Sequence, residues 1–192
     1  MIEPRYRHAL PQLSGQPMLT DSGLETTLIF HDGIDLPLFA AFTLLQGDEG
    51  KGALRRYYDR HAELAVSRRV GFIADTPTWR ASRDWGDRLG LGTEDLATLN
   101  RVAVEMMLDV RANWERPGTP VVLSGNVGPR GDGYAPERVM EAGEAEGYHA
   151  PQVRSLEVAG VDMITAMTMT HGGEAIGIAR AAQAAAEDEQ VR

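Results

Sequence analysis

The sequence predicts an α/β protein with a parallel sheet, made of four strand–helix units that correspond to half of a (β/α)₈ barrel of the TIM type. Short apolar runs alternate with longer segments of helical periodicity, turn residues separate them, and polar residues follow each run. Strands joined in series through helices form parallel sheets with right-handed crossovers. We therefore assign residues 1–17 to an N-terminal extension and residues 18–192 to a partial barrel domain.

The first unit starts with an apolar strand over residues 17–19 and turns at Asp21 and Gly23 into a helix. Ser22 and Glu25 have the spacing of a capping box, in which a hydroxyl and a carboxylate bind free amides of the first helical turn. Two interpretations of Asp21 stay open. It closes an Asx-turn, or it accepts hydrogen bonds from a cationic amine at the end of the strand.

Three further units follow along the chain. Residues 48–69 have apolar side chains at helical spacing and end in two arginines, which favour a helix C-terminus. A second long helix runs from Thr93, a candidate N-cap, to Trp114. The remaining predicted elements are a strand over 71–75, a strand over 119–125, a helix over 143–159, a strand over 160–166 and a helix over 173–186.

The residues best suited to chemistry follow the predicted strands, and in a barrel the carboxyl ends of the strands meet at one mouth. The candidate binding residues are Asp21 with the flexible Gly23, then Thr76 and Trp79, then Asn126 in a glycine-rich loop. A carboxylate, hydroxyl groups and an aromatic wall suit a small zwitterionic ligand. Turn formation by the glycine-rich loop and ordinary packing of Trp79 are the alternatives.

Composition excludes several classes of function. A net charge of −9 and a pI near 5.0 argue against a nucleic-acid surface, because no stripe of lysine and arginine neutralises phosphates. The sequence has no run of about 18 apolar residues and no apolar leader segment, so we expect a cytoplasmic protein without a membrane partner. Because cysteine is absent and the histidines lack metal-ligand spacing, we assign no catalytic residue and no metal ligand.

Six short segments carry the pattern of a known family in their order and spacing. They are Asp-x-Gly-Leu-x-Thr at 21–26, Thr-Pro-Thr-Trp-Arg-Ala-Ser at 76–82, Val-Gly-Pro-Arg-Gly-Asp-Gly-Tyr at 127–134, Tyr-His with a glutamine at 148–152, Ala-Gly-Val-Asp at 159–162 and Glu-Ala-Ile at 174–176. With this set the chain resembles the homocysteine S-methyltransferases over about residues 18–183.

The resemblance implies a (β/α)₈ barrel that binds homocysteine and a zinc ion at its mouth. In the family, methyl transfer from a donor to the homocysteine thiol gives methionine, and zinc holds the sulfur as a nucleophilic thiolate. By the same resemblance, Asp21 receives the homocysteine amino group and Thr76 and Trp79 border the amino-acid pocket. The loop after Gly125 forms part of the mouth. The implied partners are homocysteine and a methyl donor.

The chain departs from the family pattern at several positions. Ser22 and Thr27 replace a glycine and a glutamate of the opening motif, and Met167 stands where many members have a glutamate that helps hold the substrate amine. The cysteines that bind zinc in the family have no counterpart in this sequence. We therefore expect a truncated chain that holds no zinc or other cofactor and is inactive alone.

Two alternatives to a methyltransferase stay open. One is a catalytically dead half-barrel that serves as a binding or assembly module. The other is an unrelated magnesium-dependent barrel lyase that uses Asp21, Glu25 and Asp75, because magnesium prefers carboxylate oxygen. A half-barrel also leaves two edge strands, near Leu19 and Ile164, so we expect self-association.

Overall fold

The computed structural model describes residues 3–135 and 139–190, the last three of these by their backbone alone. Residues 1–2 of the predicted extension and 191–192 of the predicted domain lie outside this part. Four strands form one parallel sheet in the order β1-β2-β3-β4. They are β1 (Met18–Thr20), β2 (Gly71–Asp75), β3 (Val121–Val127) and β4 (Met163–Ala166).

Within the described residues, six α-helices accompany the sheet. They are α1 (Leu24–Thr26), α2 (Asp48–Arg68), α3 (Arg83–Leu89), α4 (Thr93–Trp114), α5 (Ala142–Val158) and α6 (Gly172–Gln190). A π-helical turn over Thr27–His31 extends α1, and 3-10 turns cover Pro11–Ser14, Pro37–Phe39 and Ala41–Gln46. The predicted series of four strand–helix units is confirmed, with α2, α4, α5 and α6 as the four long helices.

The capping box predicted at the start of α1 is wrong. Neither Ser22 nor any other side chain caps the helix, and the N-cap residue is Gly23. Gly23 has φ 58° and ψ 48°, the left-handed region that side chains with a Cβ disfavour. The backbone turn itself therefore directs the chain from β1 into α1, and Glu25 is left to lie half-buried.

The N-cap predicted for α4 is displaced by one residue. Thr93 is the first helical residue, and the N-cap is Gly92, whose N–H donates to Asp95 Oδ2 at 2.9 Å. Helix α3 was not predicted from the sequence, because it is short. Its Trp85 is buried. Both differences concern helix ends and short elements, where the local sequence signal is weakest.

The hydrophobic core lies between one face of the sheet and the long helices. The parallel register pairs Phe72 with Val121 and Ala74 with Leu123, which places these side chains on one face. All four are buried in one cluster with side chains of α2, α4 and α5. On the opposite face Val122, Ser124 and Asp75 are buried, whereas Ile73 and Thr165 are half-buried. No helix in the described part of the chain is both long and apolar enough to cross a membrane.

A buried carboxylate, Asp162, joins the amino ends of β3 and β4 to the N-terminal extension. Its Oδ2 accepts the Leu123 N–H at 2.8 Å and a hydrogen bond from the Arg111 guanidinium. Its Oδ1 accepts the Tyr6 N–H at 2.8 Å. Arg111 also donates from Nε to Val121 O at 2.8 Å. Because the carboxylate is fully paired, its burial is tolerated.

We predict that Asp162→Asn lowers the free energy of unfolding by about 3–5 kcal/mol, because it leaves the buried Arg111 charge without a partner. Urea unfolding followed by circular dichroism measures this. Asp87→Asn, an exposed position in α3, is the matched control and should change little. A value for Asp162→Asn close to that of the control would show that the pair does not support the fold.

The outer strands of the described sheet are β1 and β4, each paired with one neighbour, as the sequence predicted. Unpaired backbone groups at such edges pair readily with other chains. We therefore predict self-association at micromolar concentration, observed by sedimentation velocity as species larger than the 20.9 kDa monomer. A monodisperse monomer that melts cooperatively would contradict this prediction.

Candidate functional site

The candidate binding residues meet at the carboxyl edge of the sheet. Because the four strands are parallel, residues that end or follow them lie at the same edge. Asp21 and Gly23 follow β1, Thr76 and Trp79 follow β2, and Asn126 is the penultimate residue of β3. The structure thus places all five at the end of the sheet where the sequence analysis expected them.

Asp21 is held at this edge by a tyrosine of α2. Tyr57 Oη lies 3.1 Å from Asp21 Oδ2 and 2.8 Å from Ser22 O, and it accepts the Ser22 N–H at 3.1 Å. The pKa of Asp21 is raised to about 6 in total. Burial is the largest cause and the nearby Glu25 charge adds to it, whereas the Tyr57 hydrogen bond acts in the opposite direction. The Asp21 carboxyl is therefore fixed in position and poorly solvated.

A second carboxyl lies close to it. Asp75, the last residue of β2, is 4% exposed, and its Oδ1 has no hydrogen-bond partner. The pKa of Asp75 is raised to about 7 in total. Burial is the largest cause and the Asp21 charge adds to it, whereas a Ser124 hydrogen bond acts in the opposite direction. The two carboxyls follow or end adjacent parallel strands at the same edge, and the Asp21 charge acts on Asp75.

The threonines that follow β2 are buried and fasten β2 to β3. Thr76 Oγ1 accepts the Asn126 N–H at 3.0 Å and lies 2.6 Å from Thr78 Oγ1, which donates to Asn126 O at 2.7 Å. Thr76 is only 1% exposed. These hydroxyls therefore fix the backbone of Asn126, whose buried side-chain Oδ1 has no hydrogen-bond partner.

Trp79 forms a half-buried wall above the same edge. Its Nε1 donates to Thr168 Oγ1 at 2.9 Å, which links the segment after β2 to the segment after β4. Its carbonyl accepts the Gly128 N–H at 3.0 Å. A Cβ on Gly128 would lie 2.3 Å from that carbonyl oxygen, so only glycine permits the approach.

Sequence reasoning missed two residues that shape this edge. Tyr57 lies within the helix predicted over residues 48–69, and no sequence signal shows that its hydroxyl reaches Asp21. Arg80 lies over the rings of Trp79 and Trp85, at 4.7 and 3.9 Å from their centroids, and also donates to Leu38 O. The nearness of Trp79 and Trp85 to Arg80 in the sequence is a signal that could have predicted this cation–π arrangement.

His149 is buried and belongs to a separate cluster of hydrogen bonds. His149 Nε2 lies 2.9 Å from Glu174 Oε1, which also accepts the Arg130 N–H at 2.7 Å. Burial raises the pKa of Glu174, but hydrogen bonds from His149 and Arg130 outweigh it and leave the pKa lowered. This cluster joins α5, α6 and the loop after β3, and it is not part of the candidate site.

The residues present do not fit a zinc site of the thiolate type. The chain has no cysteine, and in the described residues no three histidine, aspartate or glutamate side chains are placed to hold one metal ion. That includes Asp21, Glu25 and Asp75, the carboxylates considered for magnesium. We therefore assign no step of a reaction to a metal held by these residues.

Comparison with models of protein families decides the relationship. Residues 18–191 match the homocysteine S-methyltransferase model. The chain belongs to the homocysteine S-methyltransferase family. The resemblance inferred from six short segments is thereby confirmed, and the match includes all four strand–helix units.

Two similar solved structures are forms of the homocysteine methyltransferase MmuM from Escherichia coli. The metallated form is 22% identical with a TM-score of 0.71, and the oxidised form is 20% identical with a TM-score of 0.74. The alignments cover 91% and 94% of this chain but 62% of each MmuM chain. At this identity the likeness establishes the fold alone, that of a partial methyltransferase barrel. No curated protein matches the chain.

The buried carboxyls predict how stability depends on pH. The carboxyl of Asp75 has its ordinary pKa of 3.8 when the chain is unfolded, but folding raises the pKa to about 7. Between these values the unfolded chain binds fewer protons, so this residue makes stability fall as pH rises. We compare the free energy of unfolding of Asp75→Asn with that of wild type. We predict that this difference shifts in favour of the variant by roughly 2–4 kcal/mol as the pH rises from 4 to 8.

Urea unfolding at pH 4, 6 and 8 measures this difference, and comparison with wild type cancels the contributions of the other carboxyls. Asp87→Asn, which changes an exposed carboxylate, should follow the wild-type profile. Parallel profiles for Asp75→Asn and wild type would show that the Asp75 pKa is not raised by folding.

Proposed function

We propose that this chain forms the amino-acid-binding part of a homocysteine S-methyltransferase, with Asp21 as the residue that receives the substrate ammonium. The observation that carries the proposal is the Asp21 carboxyl itself, fixed by Tyr57 at the carboxyl edge of a sheet that belongs to this family. A poorly solvated carboxylate attracts a cation more strongly than a solvated one does.

The other candidate residues have supporting roles in this proposal. Gly23 provides the left-handed turn that carries the chain away from Asp21 into α1. Trp79 forms a wall of the pocket for the amino-acid part of the substrate. Thr76 acts indirectly, because its hydroxyl holds the backbone of Asn126. The Asn126 side-chain oxygen is then available to accept a hydrogen bond from the ligand.

Ionisation of Asp21 gives the proposed binding a pH dependence. Its carboxyl must be ionised to pair with an ammonium, and its pKa in the free chain is about 6. Below that pH, binding must expel a proton and is weaker. Above it, the carboxylate is already charged, and ammonium binding removes the repulsion between Asp21 and Glu25.

Methyl transfer is a separate question from binding. When bound, a metal ion activates the homocysteine thiol as a thiolate. The described residues offer no ligand set for such an ion. We therefore propose that they bind and orient the amino-acid part of homocysteine, with a methyl donor as the second substrate of the family reaction. Cytoplasmic methionine biosynthesis is the setting we propose for this function.

A binding or assembly module is the second candidate. It is favoured by the two outer strands of the described sheet, β1 and β4, which offer backbone groups for a partner strand. This candidate requires no ligand at the carboxyl edge. Binding of homocysteine at Asp21 therefore separates the two functions.

We predict that the purified chain binds L-homocysteine and that Asp21→Asn weakens binding by about tenfold, because a charge-assisted hydrogen bond is lost. Isothermal titration calorimetry at pH 7.5 measures the affinity, with Asp87→Asn as control. Equal affinities for wild type and Asp21→Asn would exclude this role for Asp21. Absence of binding by wild type would favour the assembly module.

We further predict that the 192-residue chain forms no methionine above background, because its residues supply no thiolate ligands for zinc. The assay offers homocysteine with sulfonium and quaternary ammonium methyl donors, with and without added zinc, and detects methionine by chromatography. Zinc-dependent formation of methionine by this chain would contradict the prediction.

A further inference from the structure

The proposed function leaves Asp75 without a role, although its environment is unusual. The side chain is 4% exposed, and its Oδ1 has no hydrogen-bond partner. Buried polar atoms in native proteins are almost always hydrogen-bonded, so an unpaired carboxyl oxygen calls for an explanation. Asp162 shows the usual solution, because its buried carboxylate is paired with Arg111.

Among the described residues, no positively charged side chain is paired with Asp75 as Arg111 is with Asp162. The groups that shift its pKa, apart from burial, are the Ser124 hydroxyl and the negative Asp21. Asp75 and Asp21 also both raise the pKa of the buried Tyr58. The pair of carboxyls is thus a concentration of negative charge without a counterion.

Buried polar atoms of other residues near this edge also lack partners, among them Arg80 Nε, which is a donor, and two atoms that can accept a hydrogen bond. The two acceptors are Tyr58 Oη on α2 and Asn126 Oδ1 on β3. Asp75 is the register partner of Ser124, so Asn126, two residues further along β3, lies on the same face of the sheet as Asp75. Unsatisfied acceptors with net negative charge match a ligand that has several N–H donors and a positive charge.

We propose that Asp75 is a second ammonium-binding carboxylate, which acts with Asp21 on the α-amino group of the substrate. This inference rests on the proposed function, because it assigns a further residue to the same amino-acid site. An ammonium has three N–H donors, which can be shared among Asp21, Asp75 and Asn126 Oδ1. The ammonium has one positive charge and balances one of the two carboxylates.

Ligand binding then has a proton balance. The free chain at pH 6.5 holds a proton on Asp75, and both carboxyls must be ionised to bind the ammonium, so a proton passes to the buffer. The titratable groups around the pair are Asp21, Glu25, Tyr57 and Tyr58. The tyrosines keep their protons at this pH, because their pKa values are raised.

Calorimetry with the full chain tests the proposal. The two probes are L-homocysteine and its deamino analogue, which keeps the thiol and the carboxylate. We expect Asp75→Asn to lose roughly tenfold in affinity for L-homocysteine and to retain the affinity for the deamino analogue. At pH 6.5, titrations in buffers of different ionisation enthalpy should show proton release by wild type and less by Asp75→Asn. Asp87→Asn should match wild type in every titration.

The outcomes separate this inference from the proposed function. If Asp21→Asn weakens binding of L-homocysteine and Asp75→Asn does not, the role of Asp75 is wrong and the proposed function stands. If Asp75→Asn weakens both probes equally, it acts on the pocket rather than on the amine, and the role is again wrong. If wild type binds no L-homocysteine at pH 6.5 or 7.5, the proposed function and the role of Asp75 both fall.

Discussion

All four strands run in the same direction, and the position of every candidate binding residue follows from this constraint. Parallel strands bring their carboxyl ends to one edge, where Asp21, Thr76 and Asn126 meet although long helices separate them along the chain. The amino ends meet at the opposite edge, where Asp162 joins β3, β4 and α4. One edge therefore contains the buried Asp162 pair, and the other contains the candidate binding residues.

The two edges contain carboxyls with different partners: Asp162 and Asp75 are buried, and Asp21 is half-buried. The Asp162 carboxylate accepts hydrogen bonds from an arginine and two backbone amides, so its role is structural. Asp21 and Asp75 have hydroxyl partners, and burial raises both pKa values, with the Glu25 charge also raising that of Asp21 and the Asp21 charge also raising that of Asp75. The free energy that this pair costs the fold is recovered if a cation binds between them. Under the proposed function, the same side chains therefore affect both stability and ligand recognition.

The long elements and the carboxyl-edge location of the site could be predicted from the sequence, because periodicity and strand–helix alternation are local signals. The capping box at Ser22 could not be rejected, since only the backbone angles of Gly23 show that the helix begins differently. Tyr57 and Arg80 contact the site from distant segments, and single-sequence patterns carry no information on such contacts. Asp75 was noticed as a carboxylate, but its missing counterion is visible only in three dimensions.

The most direct test of the central claim is a chemical-shift titration of the ¹⁵N-labelled chain with L-homocysteine. If the carboxyl edge is an amino-acid-binding mouth, the largest changes should occur at the amides of Ser22, Gly23 and Thr76 and at the indole N–H of Trp79, whereas the amides of Tyr6 and Leu123 beside Asp162 stay unchanged. Changes centred on the Asp162 edge, or none at saturating ligand, would contradict the account.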